Sequence, residues 1–259
     1  MKNFLEEHMI DTIGMTDIGN GRPSNQDAYL LRQQEKNGKL YLLAVVCDGM
    51  GGLKKGEIAS RYIVEVLKQW FDETLFEGLY EMGINMIEQN LIDLIRKINQ
   101  NLLLMSRKME EVKSMGSTLT LLFVEDHEFF VLNVGDSRTY WFDKNRKFVT
   151  TDHTLVELEL RAGHLTKEQA RKDPRRHILL QCVGVTKDVR VDCYKGRLHP
   201  GMEFLLCTDG FYGLLEEIYQ VEASREQMKE WVERCFRKVK KRGELDNLSC
   251  VIVKVPKER

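Results

Sequence analysis

The stretch from Leu42 to Gly52, LLAVVCDGMGG, limits what this chain can become more than any other. Leu42 through Cys47 run without polar alternation, the pattern of a strand covered on both faces. The run halts at Asp48, with Gly49, Met50, Gly51 and Gly52 behind it, and a helical pattern begins near Glu57. A carboxylate at the tip of a buried strand is held rigidly yet stays accessible. Glycines beside it let backbone carbonyls approach a ligand closely, and oxygen donors of this kind suit a hard metal ion. Asp-Gly is also a common hairpin dipeptide, but the element that follows reads as a helix and not as a return strand.

The rest of the chain sets bounds on that reading. Its 259 residues are enough to bury a substantial core, and one domain spanning 1–259 is expected. A formal net charge of -1 gives no global pointer to nucleic acid or an anionic membrane. No apolar run approaches the roughly 20 residues of a spanning helix, and MKNFLEEHMI is too acidic and too short for a signal peptide. The six cysteines are scattered without a C-x-x-C pair, mostly in apolar runs, so free thiols in a reducing cytoplasm are expected.

Taken in order, 9–16 reads as a first strand and 28–32 as a second. Lys36-Asn37-Gly38-Lys39 is a tight turn into the strand that ends at Asp48. Arg22, five residues before Asp27, is either half of a surface ion pair or a guanidinium placed for phosphate beside a metal-site acid. Ile58, Tyr62, Val66 and Trp70, with Ala59, Ile63, Leu67 and Phe71, form one apolar helical face. Ile84, Ile87, Leu91, Leu94, Ile98, Leu102 and Met105 form a second, and both helices are expected on one side of a sheet. Thr118 to Val124 and Phe129 to Val134 read as a hairpin. The second run ends at Gly135-Asp136, an acid at a strand break or a simple bulge.

The segment 152–184 is the least core-like and reads as a flap, with a capping box at Thr166 and Gln169. His153 and His177 lack metal-ligand spacing and are taken as ordinary polar residues. EFLLCTDG at 203–210 repeats the opening design of buried strand, cysteine, acid and glycine. Ser224 and Gln227 form a second capping box, opening a helix whose C′ residue is Gly243. The basic cluster at the end of that helix matches its dipole. Asp246 and Asn247 stand just before the closing strand, Leu248 to Val255.

Asp27, Asp48, Asp136, Asp209 and Asp246 therefore all lie beside strand ends. If those ends meet at one rim, the carboxylates repel unless cations neutralise them. An all-oxygen site favours Mg²⁺ or Mn²⁺ over zinc. Two such ions can activate a water between them for in-line attack on a phosphoryl group.

The segments GRPSNQDAYL, VVCDGMGG, MGSTLTLLFV, LNVGDSRTYWF, TTDHTLVELELRAG, HILLQCVGV, LLCTDGFYGLL and LDNLSCVIVKV resemble, in order and nearly end to end, the metal-dependent protein phosphatase family of type 2C in its bacterial form. The resemblance implies an α+β fold, a four-layer α-β-β-α sandwich of two antiparallel sheets flanked by helix pairs. It implies that Asp48 bridges two Mn²⁺ or Mg²⁺ ions, that the Gly49 carbonyl binds one, and that Asp209 and Asp246 complete the other. Asp136 with Asp209 matches a weaker third site, Asp27 would order water, and Arg22 would hold the substrate phosphate. The implied substrates are phosphoproteins, the products of a serine/threonine kinase, and a monomer is expected. Two residues depart from the family pattern: Gln26 stands where an acid is usual, and Met50 where many eukaryotic members have a histidine. A pseudo-enzyme that only binds phosphoproteins would be expected to have lost one of Asp48, Asp209 or Asp246. A two-metal nuclease would need a basic groove that this charge balance does not advertise.

Overall fold

The unbroken apolar run at 42–47 finds its explanation in a strand with a sheet partner on either side and both faces covered. In this computed structural model residues 10–51, 55–78, 81, 83–108, 115–144, 146–215 and 225–257 are described. The strands are β1 (Asp11–Asp17), β2 (Asp27–Lys36), β3 (Lys39–Met50), β4 (Gly116–Ser117), β5 (Leu119–Glu125), β6 (Glu128–Val134), β7 (Arg138–Asp143), β8 (Arg146–Val149), β9 (Asp192–Arg197), β10 (Glu203–Cys207) and β11 (Leu248–Lys254). The helices are α1 (Lys55–Glu77), α2 (Ile84–Lys108), α3 (Leu155–Arg161), α4 (Lys167–Lys172), α5 (Asp209–Tyr212) and α6 (Arg225–Lys241). One antiparallel sheet has the order β1-β11-β10-β7-β8 and the other β2-β3-β5-β6-β9, with β4 pairing the end of β3.

Strand alternation sorts the apolar residues into layers. From β3, Leu42, Ala44 and Val46 face the opposing sheet and meet Phe204, Leu206, Val251 and Val253. Leu43, Val45 and Cys47 face outward, under Ile63, Leu67 and Phe71 of α1 and Leu91, Ile98 and Leu102 of α2. Beyond the other sheet, Leu205, Cys207, Cys250 and Ile252 pack against Phe211 and against Met228, Val232, Phe236 and Val239 of α6. Each large side chain buried in this way contributes roughly 1.5–3 kcal/mol, so three apolar layers fix the stacking of helix, sheet, sheet and helix.

The sequence reading of the helices needs small shifts. In α1 the row Ala59, Ile63, Leu67 and Phe71 is the buried centre, while Ile58 is 37% exposed. Helix α6 ends as expected at Gly243, whose φ is +92°. The Gly243 N–H donates to the Lys240 carbonyl and the Glu244 N–H to the Val239 carbonyl, the paired bonds of a Schellman end. Thr166 and Gln169 form their reciprocal capping box, whereas Ser224 lies outside the described residues. The first strand runs one residue further than expected, to Asp17, and Met9 is likewise outside the described residues. Strands β8 and β9 and helix α3 had no counterpart in the sequence reading. Every residue of β8 is exposed, so it carries no alternation. All six cysteines are free. No helix among the described residues is long and apolar enough to cross a membrane.

Candidate functional site

Followed toward one end of the sandwich, the inward positions change from hydrocarbon to hydroxyl to carboxylate. Thr120 Oγ1 lies 2.6 Å from Thr139 Oγ1, and Thr118 Oγ1 lies 2.7 Å from Ser137 Oγ, each pair spanning the two sheets. On the β1 side Thr16 Oγ1 sits 2.7 Å from Ser249 Oγ. Beyond this hydroxyl layer stand the aspartates. Asp48 continues the inward row of Leu42, Ala44 and Val46 by period two, and β-pairing sets Asp27 directly opposite it. The Asp48 backbone is fixed on both sides: its N–H donates to Thr118 Oγ1 at 2.9 Å, and its carbonyl accepts from the Thr118 N–H and the Ser117 hydroxyl at 2.9 Å. Next to it, Gly49 has no room for a side chain, since a Cβ would stand 2.2 Å from the Gly56 carbonyl oxygen and 2.5 Å from that of Gln26.

Asp209 opens α5 at the end of β10, and Asp246 precedes β11. Asp136 follows Gly135 in the turn between β6 and β7, where the Tyr212 hydroxyl donates to its carbonyl at 2.8 Å. Mutual proximity is visible in the acidities. Burial, then Asp27, Asp209, Asp136 and Asp246, push the Asp48 carboxyl well above the usual range. Burial, then Asp209 and Asp152, do the same to Asp136. Asp27 is pushed up to about 7, chiefly by burial, despite bonds from Ser249 and Thr208. Burial also works against the charge of Asp209, but the neighbouring His177 and Asp48 and the Gly210 amide outweigh it and hold Asp209 below the usual range. All five acids predicted from sequence thus share one neighbourhood.

Three placements differ from the sequence reading. Arg22 engages Asp246 and not the nearby Asp27: Nε donates to Oδ1 at 2.8 Å and Nη2 to Oδ2 at 2.7 Å. His177, taken as an ordinary polar residue, brings Nδ1 to 3.7 Å from Asp209 Oδ2. A 3-10 turn over Pro174–His177 carries it there, and nothing in local spacing could have revealed that contact. His153, read the same way, is buried at the base of 152–184 against Gly135 and Asp192. At Met50, where a histidine would stand in many eukaryotic members, the Cys182 thiol donates to the thioether sulfur at 3.0 Å. Gln26 serves the backbone: its carbonyl accepts from Gly49 N–H and the Ser60 hydroxyl, and its side-chain amide reaches the Gly51 carbonyl.

Among the described residues, the buried carboxylate oxygens Oδ1 of Asp27 and Oδ1 of Asp209 have no hydrogen-bond partner. Partnerless oxygens, carboxyl pKa values pushed up by crowding and burial, and an all-oxygen donor set fit a hard divalent cation. Among the described residues no three His, Cys, Asp or Glu side chains are already disposed to hold a metal ion, with the Asp246 carboxylate turned onto Arg22. The flanking Arg138 is stacked 4.0 Å over the Tyr212 ring and bound at both ends of Asp152, at 2.8 and 2.6 Å. It thereby joins the start of the 152–184 segment to the helix that carries Asp209.

Comparison with known proteins places the chain in a family. The family described as protein phosphatase 2C matches residues 13–252. The serine/threonine phosphatase stp of Listeria monocytogenes serotype 4b is 30% identical over 241 residues, covering 92% of this chain and 93% of that protein. Protein phosphatase PhpP of Streptococcus pneumoniae is 28% identical over 247 residues, covering 94% and 97%. The crystal structure of serine/threonine phosphatase Stp1 from Staphylococcus aureus superposes with a TM-score of 0.81 at 26% identity over 96% of each chain. The catalytic domain of serine threonine protein phosphatase PstP, solved in complex with 2 manganese ions, shares the fold with a TM-score of 0.76 at 22% identity, over 95% of this chain and 98% of that one.

Proposed function

Since the chain belongs to the protein phosphatase 2C family, we propose that it hydrolyses phosphoserine and phosphothreonine in proteins with two divalent cations, Mn²⁺ or Mg²⁺, held by its clustered aspartates. The enzyme class, protein serine/threonine phosphatase, is that of its relatives. The observation that carries the rest is the gathering of Asp27, Asp48, Asp136, Asp209 and Asp246 at one rim, three of them with carboxyl pKa values pushed up and two with oxygens that have no partner among the described residues.

Asp48 and the Gly49 carbonyl would hold one ion, and Asp48, Asp209 and Asp246 the other, with Asp136 and Asp209 available to a weaker third. Bound there, such ions neutralise the repelling carboxylates, acidify water and polarise phosphoryl oxygens. Arg22, half exposed at the same rim, offers a planar guanidinium to two phosphoryl oxygens. Asp27 Oδ1, unpartnered on the cleft floor, accepts from water there and orients it. Met50 has no proton to give, so the leaving serine or threonine oxygen takes its proton from solvent or another group. We assign this role to one domain over 1–259 with 152–184 as a flap beside the cleft, acting as a cytoplasmic monomer on the phosphoprotein products of a serine/threonine kinase.

The test is a phosphothreonine peptide assayed beside a chromogenic phosphate ester, after chelation with EDTA and again after Mn²⁺ or Mg²⁺ is restored. Activity should vanish and return. Full turnover after exhaustive chelation would sink the two-ion mechanism.

A further inference from the structure

We propose that His153 is a positioning residue for the acid cluster, holding the Gly135–Asp136 turn through its Nδ1 atom. The proposal rests on the metal-dependent reading above.

Three contacts define the arrangement. The Gly135 N–H donates to His153 Nδ1 at 3.3 Å, and the His153 N–H donates to the Gly135 carbonyl at 2.9 Å, so one residue grips both sides of that glycine. The Leu180 N–H donates to the His153 carbonyl at 2.7 Å, which ties the returning end of the 152–184 segment to the same point. Gly135 needs such a grip. Its φ of +101° lies in the left-handed region, and it packs tightly against Thr118, the residue whose hydroxyl receives the Asp48 N–H.

The far side of the ring explains how Nδ1 stays free to accept. His153 Nε2 lies 3.1 Å from Asp192 Oδ2, close but off the line of a hydrogen bond. Burial works against the charge of Asp192, yet His153 and Arg190 outweigh it and keep that carboxyl below the usual range. An ionised carboxylate beside Nε2 favours the proton on that nitrogen, and the lone pair on Nδ1 then faces Gly135. Were the proton on Nδ1, two N–H groups would point at each other in a buried space and the turn would have to open. The imidazole is only 2% exposed, so its role is exercised through Asp136, as an outer partner orients an inner ligand.

Two conservative substitutions separate this role from mere packing. His153→Asn places an amide oxygen where Nδ1 stood and keeps the acceptor for Gly135. His153→Gln keeps a donor near Asp192 but loses that acceptor. Mn²⁺ binding by isothermal titration and kcat on a phosphothreonine peptide should fall roughly ten- to a hundredfold in His153→Gln and stay within about threefold of wild type in His153→Asn. Long-range ¹H–¹⁵N spectra of the wild-type protein supply a check that needs no variant to fold, and His153 should appear with its proton on Nε2. Equal losses in both variants, wild-type Mn²⁺ binding and turnover in His153→Gln, or a proton on Nδ1 would each overturn the proposal. Failure of the underlying reading looks different, because the wild-type protein would then show no Mn²⁺-dependent turnover at all.

Discussion

Arg22 and Asp246 are locked in a two-point ion pair, with contacts of 2.8 and 2.7 Å, at the mouth of a cleft whose other acids repel one another. A fixed positive charge thus already neutralises one of the carboxylates that a divalent cation would need. Arg22→Ala should therefore leave Mn²⁺ affinity unchanged or improved, while kcat/KM for a phosphopeptide falls. A charge-assisted bidentate contact is worth on the order of 1.5–3 kcal/mol, or roughly ten- to two-hundredfold. Arg22→Lys should recover only part of the loss, since an ammonium lacks the planar fork. Weaker Mn²⁺ binding in Arg22→Ala with KM unaltered would show that the arginine supports the acids and does not touch substrate.

Among the described residues Asp209 carries an unpartnered oxygen, and its other oxygen stands 3.7 Å from His177 Nδ1. Asp209→Asn should reduce kcat below about a tenth of wild type, a loss of more than about 1.4 kcal/mol. The metal-free variant should melt no lower than metal-free wild type at neutral pH, because the substitution relieves crowding of like charges. A variant that retains most of its turnover contradicts the assignment.

Stability of the metal-free protein should rise on acidification across the neutral range. Asp27, with a folded pKa of about 7 against an ordinary 3.8, binds protons that the unfolded chain has already released between those values. Folding is therefore penalised as pH rises through that window. Asp48 and Asp136 shift the same way. His177, raised by its bond to Asp209, acts in the same sense, since its contribution is complete below the ordinary imidazole range and lost as pH climbs. Asp209 opposes them, but its lowered carboxyl costs stability only below the ordinary carboxylate range. In EDTA the Tm should increase from about pH 8 to about pH 5.5, and saturating Mn²⁺ should flatten the slope. A Tm that drops steadily over that interval without metal would contradict the mutual repulsion of the acids.

Gly135 and Gly163 both adopt positive φ, at +101° and +78°, but only Gly135 is hemmed in. A Cβ there would meet Thr118 Cγ2 at 2.7 Å, whereas at Gly163 none of the described residues beyond its chain neighbours lies within 4 Å. Gly163→Ala should show backbone strain alone, about 1 kcal/mol. Gly135→Ala should cost clearly more, up to about 3 kcal/mol, and should weaken Mn²⁺ binding as Asp136 shifts. Denaturant midpoints and Mn²⁺ titration of the pair check both statements, and equal losses would mean that Thr118 yields easily.

The acids were legible because each stands at the abrupt end of an apolar run beside glycine or a polar turn, a pattern that Asp48 and Asp209 repeat almost letter for letter. The layers were only partly legible. Leu43 and Ala44 cannot be assigned to opposite layers by hydropathy when β3 is covered on both faces, so which residue faces which layer emerges only with the opposing sheet in place. Edge strand β8 left no trace, because an exposed strand has no buried side to alternate against. His153 and His177 were undervalued for another reason. Their partners, Gly135, Asp192 and Asp209, lie 18 or more residues away, and a search for i, i+4 spacing looks only along one helix.

The hydroxyl pairs beneath the rim, two across the sheets and one between neighbouring strands β1 and β11, bear on how the interior answers a change of charge there. In Thr118 with Ser137, Thr120 with Thr139 and Thr16 with Ser249, either oxygen can be the donor. Reversing such a pair takes rotation about two C–O bonds and moves no heavy atom. When cations arrive or leave, these dipoles can turn head for tail while the strands keep their register. The hydroxyl layer beneath the cleft is thus polarisable without being soft, even where a side chain at the rim, such as Asp246 on Arg22, has to turn.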